Sequence, residues 1–415
     1  MSQEDPMDRY LVISSDCHAG LPPERYRDYV DEKYRAAFDQ ALPIQLQMTR
    51  EAAKKFLVAD VNEEWRRGIE PELTGAWDPE QRVRVLDADG IAGEVIFPDG
   101  ITEMNMPPFG AGLSLPTENV VPELQWAGAR AHNRWLAELC ATAPERHAGV
   151  AIVPALWDVA EAVREAEWAR AHGLRGVLIP CAWGRQAPYH HPKYDPLWAA
   201  CQALELVLHF HSGAAPIEDY FGPLRPPASE GEGGGEPALS LPGAMGIYIS
   251  EVVWYCVRPI TFMIWGGAFE RFPRLRVAVT EGTSIWVPEY LALLDFRYAE
   301  THYAAKLGDY RSHLSQKPSE YFRRNVFLGA SCMPRREAEL RHAIGVGNLM
   351  WGSDYPHPEG TWPRTREQMV DTFKGLPEDE ITAMLGGNAA RVYGFDVEKL
   401  APLAARIGPA KAAFA

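Results

Sequence analysis

Short apolar runs alternate with longer helical patterns along the whole chain. The runs are YLVISSD (10–16), AGEVIFP (92–98), HAGVAIVP (147–154), LRGVLIP (174–180), LELVLHFH (204–211), LRVAVTE (275–281), RNVFLGAS (324–331) and NLMWGSD (348–354). Each is short, rich in β-branched residues and bounded by Gly, Pro or charge, as parallel strands buried on both faces are. Segments such as LQWAGARAHNRWLAELC and VAEAVREAEWARAHG separate them with helical spacing of apolar positions. Eight such repeats predict an α/β fold, a (β/α)8 TIM barrel, as one domain over 1–415. Two stretches are longer than ordinary connections: 22–78 after the first strand and 213–246 after the fifth. Both follow strand C-termini, where a barrel builds its site, so they read as lids or pocket walls. The Gly-rich part, 228–237, reads equally well as a solvated loop without regular structure. A helical cap is expected over 377–415, around PEDEITAMLGGNAARVYGF.

The strand ends carry the chemistry. The first run continues into Asp16-Cys17-His18, and residues i and i+2 of a strand share a face. Asp16 and His18 therefore project together, with Cys17 on the other side. A carboxylate beside an imidazole is either a hydrogen-bonded pair or half of a metal site. The fifth run ends in His209-Phe210-His211, the sixth in Thr280-Glu281 and the eighth in Ser353-Asp354. Buried carboxylates are costly when unpaired, and a shared divalent cation removes that cost. His and carboxylate ligands suit zinc, and also manganese or iron. His209 and His211 lie about 6.6 Å apart along one face. His211, nearer the mouth, is the expected ligand with His209 as the alternative, and otherwise His209 is expected deeper, as a hydrogen-bonded core residue or a pocket residue.

Composition narrows the partners. The chain has 41 basic against 56 acidic residues, a net charge of −15, which argues against nucleic acid and anionic membranes. No apolar run reads as long enough to span a bilayer, and the acidic start MSQEDPMDRY carries no signal-peptide pattern. Six scattered cysteines with no CxxC pair fit reduced thiols in the cytoplasm.

The pieces SSDCHAG, HPKYDPLWAACQALELVLHFHSG, GGAFERFPRLRVAVTEG, LMWGSDYPHPEGTWP and GGNAARVYGF together resemble the amidohydrolase-related (amidohydrolase 2) family that includes aminocarboxymuconate-semialdehyde decarboxylase. The resemblance runs from residue 11 to about 396. It implies a barrel with one divalent metal, zinc as the first expectation and manganese as the second. The ligands it implies are Asp16, His18, His211 and Asp354. The fourth strand ends LIPCAWG without Lys or Glu, so no bridging carboxylated lysine is expected and the site should be mononuclear. Many relatives place a His where this chain has Glu281, and decarboxylases of the family use that His. Glu281 could ligate the metal, hold a water or orient a substrate, or else cap a helix or pair with an Arg.

On this reading the expected activity is metal-dependent amide or related C–N/C–O hydrolysis, with Asp354 as base and Asp354 or Glu281 returning the proton. Nonoxidative decarboxylation of an unsaturated or aromatic acid is the alternative, and a catalytically inactive binding barrel the third reading. His357, Tyr355, Trp183, Arg185 and Trp286 are further pocket candidates, each with an ordinary packing or solvated-loop explanation. A small-molecule or peptide-like substrate is expected, and the resemblance implies a homo-oligomer.

Overall fold

The computed structural model describes residues 8–56, 67, 71–99, 105–215, 220, 242–300 and 306–415. All eight expected strands are present: β1 Ile13–His18, β2 Gly93–Phe97, β3 His147–Ile152, β4 Gly176–Leu178, β5 Val207–His211, β6 Arg276–Thr280, β7 Val326–Ser331 and β8 Leu349–Gly352. They form one parallel sheet in sequence order. Beyond the regular ladders, β1 is stitched to β8 by Ser15 Oγ donating to Met350 O (3.0 Å), Asp354 N to Asp16 O (2.9 Å) and His18 N to Tyr355 O (2.7 Å). The fold is the predicted (β/α)8 barrel.

The barrel interior and its outer shell are separate cores. Ile13, Val95, Phe97, Val150, Ile152, Leu178, Val207, Ala278 and Met350 fill the inside. Val12, Ile96, Ala151, Val177, Leu208, Val277 and Leu328 face the helices. This is the alternation of strands buried on both sides. β1 breaks the alternation once. Ser14 pairs with Glu94 and Cys17 with Ile96, so β1 carries one extra residue between them, a β-bulge. Ile13 faces inward below the bulge. Above it Cys17 packs outward with Val85 and Tyr355, which leaves Asp16 and His18 facing inward. Without the bulge, an inward Ile13 would place Asp16 and His18 outside.

A buried ion pair ties β1 to β2. Arg82, fully buried, donates to Glu94 from Nε (2.6 Å) and Nη2 (2.8 Å) and to His18 O and Gly75 O from Nη1 (2.9 and 3.0 Å). The pair is satisfied on every side, as a buried ion pair must be if it is not to destabilise.

The insertion after β1 contains a 3-10 turn, Pro23–Asp28, and a helix, Arg35–Phe56. Residues 228–237 lie outside the described residues. The crossover helix Ala244–Trp265 corrects one expectation: by length and composition it could cross a membrane, with mean hydropathy 1.3. Glu251, Arg258 and Pro259 interrupt the apolar run, so no continuous stretch stands out in the sequence. Its C-terminal half packs Cys256, Val257, Ile260, Met263 and Ile264 onto the barrel. The 377–415 segment is helical, with helices Asn388–Tyr393 and Val397–Ile407.

One buried acid makes stability pH-dependent away from the strand ends. Asp89 closes helix Pro79–Asp89, accepts from Thr365 Oγ1 (2.6 Å), and burial pushes its carboxyl up to about 7. Unfolded, it ionises near 4. The folded chain therefore keeps a proton that the unfolded chain has lost between about pH 4 and 7, and stability falls as pH rises through that window. Asp89→Asn should unfold at a higher temperature than the parent at pH 8 and at the same temperature at pH 4; equal midpoints at pH 8 would show that Asp89 is not the group responsible.

Candidate metal centre

Asp16, His18 and His211 meet inside the C-terminal mouth, all fully buried. Each imidazole is oriented by its Nδ1. That of His18 lies 2.9 Å from Pro98 O and that of His211 3.1 Å from Ser212 O, so each Nδ1 carries the hydrogen and donates it. This leaves both Nε2 lone pairs aimed inward, the arrangement metal-ligating histidines use. His18 Nε2 is 3.3 Å from Asp16 Oδ1 and 3.1 Å from Asp354 Oδ1; His211 Nε2 is 3.4 Å from Asp16 Oδ1. His18 Nε2 and Asp354 Oδ1 are buried and make no hydrogen bond. His211 Nε2 and Asp16 Oδ1 are within hydrogen-bond reach of each other, but His18 Nε2 and Asp354 Oδ1 are left without a partner, and such a convergence fits ligands around a cation.

The electrostatics agree. Burial alone would raise Asp16, but His211 and His18 beside it hold it far below the ordinary carboxylate range. Burial opposes charge on His18, yet Asp16 and Asp354 push it well above its usual value. The pocket thus demands positive charge. A divalent cation supplies it more effectively than protons, with N and O donors that accept zinc or manganese.

Glu281 and Asp354 reach the cluster by leaving their strands in left-handed backbone, with φ of 57° and 60°. Alternation from inward Ala278 and Thr280 would send residue 281 outward. The positive φ, which costs a non-glycine residue about 1 kcal/mol or more, turns it back. Glu281 Oε2 lies 3.5 Å from His211 Nδ1, on the side of the ring away from Asp16, and the side chain is 27% exposed. Burial of its carboxyl and the nearby Asp354 push Glu281 up to about 7; a cation in the cluster pulls in the opposite direction. Ligand atoms of Asp16, His18, His211 and Glu281 all fall within 4.8 Å of one another, as do those of His18, Asp354 and His357.

The remaining candidates divide. His357 stacks on His18 at 3.8 Å and places Nδ1 3.2 Å from Asp354 Oδ1, inside the site. His209 lies below it, buried between Phe97 and Tyr393, with neither ring nitrogen hydrogen-bonded and burial pulling its pKa down to about 3. It is a core residue, though not the hydrogen-bonded one expected. Tyr355 points away: it pairs with outward-facing Cys17, and its hydroxyl donates to Glu72 O. Trp286 also faces outward, bonded to Gly282 O and Thr283 O and packed on Trp254, Tyr290 and Phe322. Trp183 is buried against Tyr189 and Phe262 with Arg258 over its ring, and Arg185 is exposed. Aromatic residues near strand ends serve the helix layer here.

Two contributors escaped sequence reasoning. Ser331, the last residue of β7, donates to Asp16 Oδ2. A hydroxyl ending FLGAS was the available signal, since it is the polar end of the seventh run. Asp99, two residues beyond β2, is buried with φ 67° and accepts the His357 ring through its carbonyl (3.3 Å). A lone Asp in a PDG turn gives no such signal.

An amidohydrolase family profile matches residues 15–395. The (β/α)8 fold agrees with that match, and the chain belongs to the amidohydrolase family. It is 25% identical over 299 residues to gamma-resorcylate decarboxylase of Rhodococcus jostii (strain RHA1), covering 68% of this chain and 80% of that one. It is 21% identical over 329 residues to 2-amino-3-carboxymuconate-6-semialdehyde decarboxylase of Dictyostelium discoideum, covering 79% of each. Among solved structures, 5-carboxyvanillate decarboxylase from Sphingomonas paucimobilis superposes with a TM-score of 0.61 at 21% identity, over 93% of this chain and 100% of that one. A dihydroxybenzoic acid decarboxylase from Polaromonas sp. JS666, solved with manganese and 2-nitroresorcinol, gives 0.58 at 17% identity, over 93% and 97%. These relatives are decarboxylases, which overturns the expectation of amide hydrolysis. The strand-end residues form a group that could hold a cation, and such a group is compatible with several reactions.

Gly352 gives the site a steric test. A Cβ there would lie 2.8 Å from Asp16 Cβ and 3.1 Å from Asp16 N, closer than packed atoms allow. Gly352→Ala should displace Asp16 and lower bound divalent metal per chain by at least half. Full metal content in a folded Gly352→Ala protein would show that Asp16 is not a ligand.

Proposed function

We propose that this chain is a metal-dependent, nonoxidative carboxy-lyase acting on a small aromatic or unsaturated carboxylic acid. The observation that carries the reading is the buried convergence of His18 Nε2, His211 Nε2 and the Asp16 and Asp354 carboxylates. The decarboxylase relatives support the choice of reaction. Asp16, His18, His211 and Asp354 would hold one divalent ion, manganese or zinc. Such an ion supplies positive charge that draws in the substrate's carboxylate or a neighbouring oxygen and stabilises negative charge there.

The chain's own groups then handle the proton. Glu281 stands beside the cluster at its exposed edge, placed to protonate the carbon that bears the carboxylate. The C–C bond breaks, its electron pair stays with the substrate carbon, and CO2 leaves. Glu281 recovers its proton from solvent through that open edge. Asp354 is a poor proton donor, because His357 and His18 offset burial and hold its carboxyl below the ordinary range. His357, locked between Asp354 and the Asp99 carbonyl, fixes that carboxylate in place.

The test uses the metal-loaded protein with hydroxylated benzoates and unsaturated acids in deuterated water. The expected result is CO2 release with one deuterium on the carbon that lost it. Absence of CO2 from every acid, with solvent oxygen appearing in a product acid, would overturn the reading. Glu281→Gln should keep its metal and lose about 10²–10⁴-fold in kcat. A variant within about threefold of the parent would remove Glu281 from proton delivery.

A further inference from the structure

The opposite end of the barrel carries a second, unrelated concentration of charge. A cavity of about 330 Å³ opens there, lined by Arg274, Arg276, Arg324 and Arg391 with Gln202 and Phe327; Glu205 is its one carboxylate. Four guanidiniums around one hollow are unexpected in a chain of net charge −15. Part of the cluster is structural. Arg276 donates from Nη1 to Val392 O (2.5 Å) and Arg391 O (3.4 Å), the C-terminal carbonyls of helix Asn388–Tyr393. Arg324 commits Nε, Nη1 and Nη2 to Asn325, Gln316 and Phe269 O.

The rest is not accounted for by packing. Arg391 commits only Nη2, to Gly347 O (2.6 Å), and lies over the Phe327 ring at 5.3 Å. Arg274 is exposed, and its side chain has no partner among the described residues. Glu205 reaches Arg276 Nη2 only at 3.6 Å and is 68% exposed, so it neutralises little. Burial, and after it the charge of Arg276, hold Arg391 below the usual guanidinium range.

We infer that this hollow is a binding site for a phosphoryl dianion, held by Arg274, Arg276 and Arg391. Arg276 and Arg274 come from the start of β6 and the position two before it, and Arg391 from helix Asn388–Tyr393, so two separate elements line the hollow. Four guanidiniums against one exposed, weakly paired carboxylate leave it with net positive charge, which a dianion balances more fully than a monoanionic carboxylate does, and a phosphoryl group's oxygens accept from more than one guanidinium. Free phosphate and the phosphate of a monoester share this chemistry.

The experiment is calorimetric titration of the full-length protein with inorganic phosphate and, separately, glycerol 3-phosphate, at ionic strength fixed with sodium chloride. The expected result is one saturable site, weakened at least fivefold in Arg274→Ser and again in Arg274→Ser/Arg391→Gln. Arg274→Ser should unfold at the parent's temperature without ligand, since the exposed side chain it removes makes no hydrogen bond or ion pair among the described residues. Tighter binding of the ester identifies an esterified ligand; equal or weaker binding identifies free phosphate. No binding beyond the chloride background, or equal affinity in parent and both variants, would overturn the site.

Discussion

The structure depends on one electrostatic constraint. Two imidazole nitrogens and two carboxylate oxygens are held within a few ångströms of one another, away from water, and satisfy each other only in part, through His211 Nε2 and Asp16 Oδ1 at 3.4 Å. His18 Nε2 and Asp354 Oδ1 sit 3.1 Å apart without bonding. Leaving buried polar atoms in that state costs several kcal/mol unless a cation completes them. Everything around the mouth serves to keep these atoms from collapsing onto one another. Backbone carbonyls of Pro98 and Ser212 fix the two rings by their far nitrogens. Ser331 takes the second oxygen of Asp16, and Arg82 grips the carbonyl of His18 from behind. The site is a property of the barrel wall as much as of its ligands.

That wall bears strain where it meets the chemistry. Asp99, Glu281, Cys332 and Asp354 all take left-handed backbone just beyond β2, β6, β7 and β8. None is a glycine, and all four follow strands whose interiors are regular. The strained position at Glu281 redirects it toward a centre that simple alternation would not let it reach, whereas Asp354 keeps the inward parity of Met350 and Gly352. The β1 bulge does the same work inside a strand, moving Asp16 and His18 onto the interior face. A regular barrel built from these sequences would have had its functional groups partly on the wrong side.

This explains which features were legible in the sequence. The eight strands were readable because burial on both faces writes a continuous apolar run, and their polar ends were readable because such ends are costly without a purpose. Local alternation paired Asp16 with His18 correctly, since the extra residue falls between Ser14 and Cys17 and leaves 16 and 18 on one face. The bulge itself was not visible, because Ser14 and Ser15 suit either face. Tyr355 and Trp286 were misplaced as pocket residues for a related reason: closeness in sequence to a strand end does not say which layer an aromatic side chain joins. Tyr355 follows Cys17 outward through the β1–β8 pairing, a relation between residues more than 300 positions apart. The reaction was the least legible feature. A cation seat of His and carboxylate can activate water or bind a carboxylate, and the ligands are the same in either case.

The two ends of the barrel also show how little the net charge describes. β6 runs from Arg276, within the arginine-lined hollow, to Thr280, beside Glu281 in an acidic mouth that calls for a cation. The charges of this polarity are carried by side chains placed at opposite rims. The interior between them is apolar apart from a few polar groups such as His209 and Thr280. It keeps the two clusters apart, at opposite ends of the strands, so the charged groups of one rim do not pair directly with those of the other.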